Sequence, residues 1–560
     1  MSRHSCAMQY CGTVLDRSYG ELGLLPKPSV QCLAIQSCMH PVTDVGIISN
    51  DDIHRPSGPS HGGLIRPLDT SNKTGITMAR GALYLLIAST VFLVGSYAIH
   101  FWLARKLGPE DYGAYGVVLT LMSTANLLVT TGFPQGASKY IAEGGSNHKT
   151  VVRISTRIQV MVSLIVFALY FGLSSVIAGL LNDPRLTVYI RISAFVVPAY
   201  ALFSLYSDGY LNGLRYFAEQ AKASIANSIG KVVLVFMLVL IGLSVKGAIL
   251  GYLGAALLGW LFAWRYLGQV EGEASHFQWR KLLSFGIPAT LFSVALFLIM
   301  SIDLFAVKAI MRNDTSTGLY TSATTIAKVP YYLFGGLATA LLPSISRSTS
   351  MNQHTVTANY ISQSMRYMLM LLVPAVLIVS ATSHSLVSLL YSPTYSQAAN
   401  PLGVLTIGLA FLAVFFVLAY IIMGSGRPGI ALGIVLPLLM VDIVLNIFLI
   451  RRYGLVGAAW ATTITGLISM IVAGAYVLKR FNTLVNPKSL IRICLASLAV
   501  YGIALLIPFT TLFLPLIYVG LVSVYFGLLL LTRELRRDDL ETMKRILPFA
   551  GFDRTGHQTN

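Results

Sequence analysis

Residues 318–347 read GLYTSATTIAKVPYYLFGGLATALLPSISR, and the environment of Lys328 within them decides the fold. The stretch is mainly apolar and long enough to cross a bilayer, whose core of roughly 30 Å takes about 20 such residues as one helix. Counted from Gly318 at about 1.5 Å per residue, Lys328 falls near mid-depth. A charge there costs roughly 2.5–3.5 kcal/mol even on the lenient insertion scale, so the ammonium must meet a partner or a water-filled cavity rather than acyl chains. Thr321, Thr324, Thr325, Tyr331 and Tyr332 stand in steps of three or four from it and give that helix face a polar stripe. Two readings stay open. One is a cationic spot in a transport cavity that attracts an anionic head group; the other is a lysine neutralised by an acid in a helix interface.

The rest of the chain agrees with a membrane solvent. Its 560 residues are 55% hydrophobic and 11% charged, with a mean hydropathy of +0.70, against roughly 25% charged in an ordinary soluble domain. The net charge of +18 does not argue for nucleic acid, because Lys and Arg are scattered between apolar runs instead of gathered on one soluble face. Cys6, Cys11, Cys32 and Cys38 precede every apolar segment and Cys494 stands in a late one, so they cannot staple the fold. With His4 and His40 the first four match no short-spaced zinc pattern, and no metal or cofactor is expected.

Residues 1–77 are polar, without apolar periodicity, and are expected to be disordered. They do not form a signal peptide, and Met78, just before ARGALYLLIAST, is an alternative start of translation. Fourteen apolar segments follow, at about 81–104, 112–134, 155–181, 186–212, 222–244, 247–268, 283–310, 318–343, 363–384, 401–424, 429–450, 455–478, 490–508 and 512–532. Lys and Arg on the side where the first segment starts number twenty-three against nine opposite, which puts both termini in the cytoplasm.

The segments repeat. FWLARKLGPEDYGAYGVVLTL (101–121) matches FAVKAIMRNDTSTGLYTSATTI (305–326), GLSVKGAILGYLGA (242–255) matches GLVGAAWATTITG (454–466), and NGLR at 212–215 is similar to GSGR at 424–427. Such repeats in transporters mark halves that rock about a central site. The expected fold is therefore an all-α polytopic membrane protein. It has about fourteen transmembrane helices: an N-lobe at 78–270, a pseudo-symmetric C-lobe at 271–480, two appended helices at 481–535 and a cytoplasmic tail at 536–560.

LARKLGPEDYGAYG, GFPQGASKYIAE, the 318–347 stretch and the G-[LV]-x-GAA-type starts of the sixth and twelfth segments resemble the polysaccharide transport, or oligosaccharide flippase, family of the multidrug/oligosaccharidyl-lipid/polysaccharide exporter superfamily. The resemblance spans roughly 78–535 and rests on the order of these motifs together. It implies a V-shaped pair of six-helix bundles, in the cell membrane, that flips a lipid-linked oligosaccharide by alternating access. It also implies a positively charged central cavity holding the lipid diphosphate. The partners are then the lipid-linked glycan, membrane lipids and glycan-assembly proteins, with no nucleic acid and a monomeric chain.

Moving a diphosphate and many hydroxyls through hydrocarbon requires cations and polar side chains along the path. Lys328 is the candidate cation. Asp303 lies at nearly the same depth and is expected to pair with it at rest, the alternative being a fixed structural pair or a buried neutral carboxyl. Thr324 and Tyr331 share the polar stripe. Asn126, with Ser123 and Thr130, offers an opposite wall or interhelical glue. Arg105 stands at the outer mouth as a ligand or an interface anchor. Lys231 and Asp442 hold equivalent places in the two lobes and could meet across them, with Asp208 as another partner for Lys231. Asp442 and Asn446, one turn apart, are with Lys231 the ion-coupling candidates, the alternative being an ordinary interhelical hydrogen bond.

A cation antiporter of the same superfamily is the alternative function, and it would want carboxylates in its N-lobe cavity. Residues 81–109 and 112–142 hold none. An enzyme would want carboxylates on a sizeable external loop, whereas Asp51-Asp52 and Asp538-Asp539 lie in polar terminal regions, so no catalysis is expected.

Overall fold

With no water in the bilayer core, backbone N–H and C=O groups must pair within each segment, and helices do this locally. The computed structural model describes residues 70–143, 148–267, 278–506 and 513–535. The expectations for residues 1–69 with their cysteines, for most of the connection near 271–281 and for the tail 536–560 lie outside the described residues. The first helix runs from Thr70, so residues 70–77 continue it rather than forming part of a structureless extension.

Among the described residues, eleven helical stretches are long and apolar enough to cross a membrane. Three of them are broken by glycine. Gly108 (φ 76°) interrupts Thr70–Thr130, Gly242 (φ 98°) interrupts Phe217–Leu267, and Gly454 (φ 59°) interrupts Pro428–Phe481. Without a Cβ, glycine reaches this left-handed region freely, and the chain can turn there. The positive-φ positions also recur along the chain: Gly108 with Arg312, Arg215 with Gly426, and Gly242 with Gly454. Each pair has the spacing of the sequence repeat, which therefore has a counterpart in backbone conformation.

The stretch around Lys328 is not one helix, as its composition suggests, but two: Asp314–Ala327 and Val329–Ser350, with Lys328 between them. Pro330 supplies the reason, because its ring lacks an N–H and collides with the carbonyl four residues back. At the other end of the first piece, the Asn313 side chain accepts from the N–H of Ser316 and fixes the helix start.

Burial is inverted relative to a soluble domain. Ile241, Phe448 and Leu506 are exposed, while Asp303, Lys308, Asp442 and Asn446 are buried, as expected where the surroundings are acyl chains and charges must face inward. Two tight glycine contacts join the halves of the chain. At one, Gly318 rests on the carbonyl of Pro109, and a Cβ on Gly113 would lie 2.5 Å from the carbonyl oxygen of Asp314. At the other, Gly132 rests on the carbonyl of Gly286, and its N–H donates to Thr290 Oγ1 at 3.2 Å. Small residues permit such close backbone approach between membrane helices.

The late helix Pro487–Leu506 packs on His354–Ala381. Glu534, just past Leu514–Leu531, accepts from Arg366 at 2.8 Å and from Arg492 at 3.3 Å. Burial alone would raise the Glu534 carboxyl, but Ser489 and the two guanidiniums outweigh it and hold it below the ordinary range.

Candidate functional site

The two glycine contacts bracket a cavity of about 620 Å³. Its wall along the helical piece after Gly108 runs from Gly116 to Thr130, about 21 Å at helical rise. Gly113 and Gly132 stand just beyond those ends. Ser123 and Asn126 face Thr321, Thr324, Thr325 and Lys328 across it, so both polar stripes read from the sequence line one space. Thr324 and Thr325 donate to the carbonyl of Thr321 at 2.9 and 2.8 Å, which satisfies their protons locally and leaves oxygen acceptors toward the cavity. Asn126 Oδ1 is buried without a partner.

Lys328 donates to Ser301 Oγ at 3.4 Å, and its ammonium lies 5.9 Å from the centre of the Phe297 ring. No ion pair to it is found among the described residues. The expected Asp303–Lys328 pair is thus not a direct contact, although the two charges act on each other. Asp303 accepts from Tyr320 at 2.7 Å, from the N–H of Leu304 at 2.7 Å and from Thr462 at 3.2 Å, and it stays outside the cavity lining. Three donors satisfy this buried carboxylate without direct contact to the lysine, although the two charges still attract each other.

The proposed meeting of Lys231 and Asp442 is corrected too. Lys231 lines the cavity and donates to Ser96 at 2.9 Å. Asp208 accepts instead from Ser204 at 3.1 Å and Gln220 at 3.2 Å. Asp442 accepts from Thr465 at 2.9 Å, while its Oδ2 and Asn446 Oδ1 are buried without partners. These two free oxygens lie one turn apart, away from Lys231, the third ion-coupling candidate. No cluster of three metal-ligating residues occurs among the described residues.

Arg105 is away from the lining. It donates to the carbonyls of Tyr391 at 2.9 Å and Leu389 at 2.6 Å, closing the end of helix Ser383–Leu390, where open carbonyls carry partial negative charge. Tyr331 packs on Phe416, with 5.0 Å between ring centres, and its neighbour Tyr332 takes the place in the wall. Sequence reasoning missed Phe92, Ser96, Tyr97 and His100, which form the wall on the first helix. Ser89, Ser96 and His100, in steps of seven and four within an apolar run, were the available signal.

Beyond the Gly318 contact, an ion network ties the halves together. Lys308 donates to Asp183 at 2.7 Å, Arg185 reaches Glu110 at 3.3 Å, and both cations also pair with Asp314. Burial pushes the Asp183 carboxyl up, but Lys308 and Arg185 prevail and hold it below its ordinary value.

Residues 78–349, which carry the cavity wall, match the family model described as polysaccharide biosynthesis protein. The chain is 22% identical over 480 residues, 84% of its length and 99% of the relative's, to the "Probable low-salt glycan biosynthesis flippase Agl15" of Haloferax volcanii. Its fold is that of a structure described as lipid II flippase MurJ in an inward closed conformation, with a TM-score of 0.67 at 14% identity, over 81% of this chain and 99% of that one. An inward-facing multidrug resistance MATE family transporter follows at a TM-score of 0.62 and 16% identity, over 72% of this chain and 98% of that one. The described residues thus have the polytopic, all-helical fold that the sequence implied.

Proposed function

We propose that this chain flips a lipid-linked oligosaccharide or polysaccharide repeat unit across the cell membrane by alternating access. The carrying observation is the cavity between the halves: its lining includes Lys328 and a wealth of hydroxyls but no carboxylate among the described residues. Such a wall suits a phosphate and a sugar, and it disfavours the cationic substrate of an antiporter. The name of the Haloferax volcanii relative and the likeness in fold to a lipid II flippase support the same reading. The breaks at Gly108, Gly242 and Gly454 support fourteen crossings in two repeated lobes, and the Lys and Arg bias supports cytoplasmic termini.

The glycine contacts at either end of the cavity would open in turn, exposing Lys328 first to one side and then to the other. The partnerless oxygens of Asp442 and Asn446 support a sodium or proton site that biases this exchange. The test is reconstitution of the full chain in vesicles with a fluorescent lipid-linked oligosaccharide, scored by the fraction reachable by an impermeant quencher. Wild type equilibrates the lipid between leaflets. Rates equal to empty vesicles for every lipid-linked glycan tried, alongside uptake of a cationic dye, would replace this reading by the antiporter.

A further inference from the structure

The threonines that line the cavity have already given their protons away. Thr120 donates to the carbonyl of Gly116 at 2.8 Å, Thr321 to that of Thr317 at 2.8 Å, and Thr324 and Thr325 to that of Thr321 at 2.9 and 2.8 Å. Toward the cavity these oxygens can only accept. His100 shares their wall, half-buried, on the helical piece before Gly108. Its Nδ1 lies 3.0 Å from the hydroxyl of Tyr112. Its Nε2 has no protein partner among the described residues and is not one of the buried atoms left unpartnered, so it opens to the cavity.

The hydrogen bonds around Tyr112 decide what Nε2 offers. Two ammonium groups on the same wall, Lys231 and Lys328, repel a third positive charge, so the ring is neutral and has one proton for its two nitrogens. Tyr112 also has one proton to give. Its neighbour from the second half, Thr325 Oγ1 at 3.5 Å, has given its own to Thr321, and Tyr391, which also reaches Tyr112, gives its own to the carbonyl of Ser322 at 3.3 Å. Both can only accept from Tyr112. The Tyr112 proton therefore points toward them, and its oxygen accepts from His100 Nδ1–H. With the ring proton on Nδ1, Nε2 presents a lone pair to the cavity.

We infer that His100 is the centre of an acceptor subsite for the sugar of the lipid-linked substrate, its Nε2 taking a hydrogen bond from a sugar hydroxyl or acetamido N–H, with threonine oxygens of the same wall beside it. This rests on the flippase reading above and names the part of the substrate that the subsite reads. A phosphate diester offers only acceptor oxygens and finds no donor at such a subsite, whereas a sugar brings several donors. Because Thr325 and Tyr391 belong to the second half of the chain, the meeting of the two halves is what holds His100 in its accepting form.

The test uses the purified full-length chain with farnesyl diphosphate and with farnesyl diphosphates that carry glucose, galactose or N-acetylglucosamine. Affinities are measured by titration, with melting temperatures recorded alongside. Wild type should bind at least one sugar-bearing probe about fivefold or more tighter than the bare diphosphate, the size of one neutral hydrogen bond. His100→Phe should reduce that ratio to about twofold or less by weakening the sugar-bearing probe, and His100→Gln, whose amide oxygen can accept, should keep more of it. Tyr112→Phe, which no longer fixes the ring proton on Nδ1, should fall between wild type and His100→Phe. A merely structural His100 would lower the melting temperature of His100→Phe and leave the ratio as in wild type, which overturns the subsite. Should these variants fail to fold, wild type alone still decides. Equal affinity for all the probes overturns the subsite while leaving a flippase that holds its substrate by the diphosphate standing. Binding of none of them removes the flippase reading along with it.

Discussion

Tyr320 donates its hydroxyl to the carboxylate of Asp303 at 2.7 Å, and with the bond from Thr462 at 3.2 Å it satisfies the acid without direct contact to Lys328, whose charge acts on it from farther away. The sequence brought two opposite charges to similar depth. The fold instead satisfies the acid with neutral donors and turns the lysine toward the cavity.

Lys328→Ala should therefore abolish translocation while leaving expression and folding intact, and Lys328→Arg should keep part of the activity. Losing one charge-assisted contact to phosphate of about 1.5–3 kcal/mol predicts a drop of roughly ten- to more than a hundredfold in affinity for the lipid. Flipping by the alanine variant at the wild-type rate in reconstituted vesicles would remove Lys328 from the site.

With no resting ion pair to lose, Asp303→Asn and Tyr320→Phe should act on stability. Each disturbs a buried donor–acceptor pair, at about 1–3 kcal/mol. Thermal unfolding in detergent should show a lower midpoint for both, with phosphate affinity close to wild type. Unchanged midpoints combined with altered phosphate binding would restore the Asp303–Lys328 pair as the working contact.

The glycine contacts predict opposite effects at the two ends of the cavity. Gly318→Val collides with the carbonyl of Pro109 and Gly132→Val with that of Gly286, so each should pry open its own end. A cysteine placed at Thr321, otherwise in a cysteine-free chain, should label from one side of the membrane in the Gly318 variant and from the other side in the Gly132 variant. Equal labelling from both sides in both variants would argue against two separate closures.

Asp183 sets a pH dependence outside the membrane spans. Its carboxyl lies below the reference value of 3.8, because Lys308 and Arg185 favour the charged form over the effect of burial. A depressed folded value means that its contribution is present above the unfolded value and is lost as pH falls through the folded one. Stability should be insensitive to this group from pH 7 to about pH 5 and should decline below about pH 4. Asp183→Asn should be less stable at pH 7 and show a shallower acid decline in the same melting assay. A decline as steep as that of wild type would assign the acid sensitivity to other carboxylates, such as Glu534.

Much of this architecture was legible before any coordinates. Apolar length forces helices, because the bilayer offers the backbone no other partner, and the repeat at 101–121 and 305–326 showed that the helices come in related sets. The polar stripes around Lys328 and Asn126 were visible because helical periodicity fixes which side chains share a face. Pairings between distant segments were not visible. Asp303 with Tyr320 and Thr462, Lys231 with Ser96, Arg105 with the carbonyls of Leu389 and Tyr391, and the wall made by Phe92, Tyr97 and His100 all depend on how helices rotate and cross. Sequence by itself determined the solvent, the helices and the depth of each charge, since those follow from local composition and a fixed rise per residue. Only the tertiary structure decided which charge meets which partner, because hydrogen bonds act over about 3 Å while depth along a helix leaves the direction around its axis open.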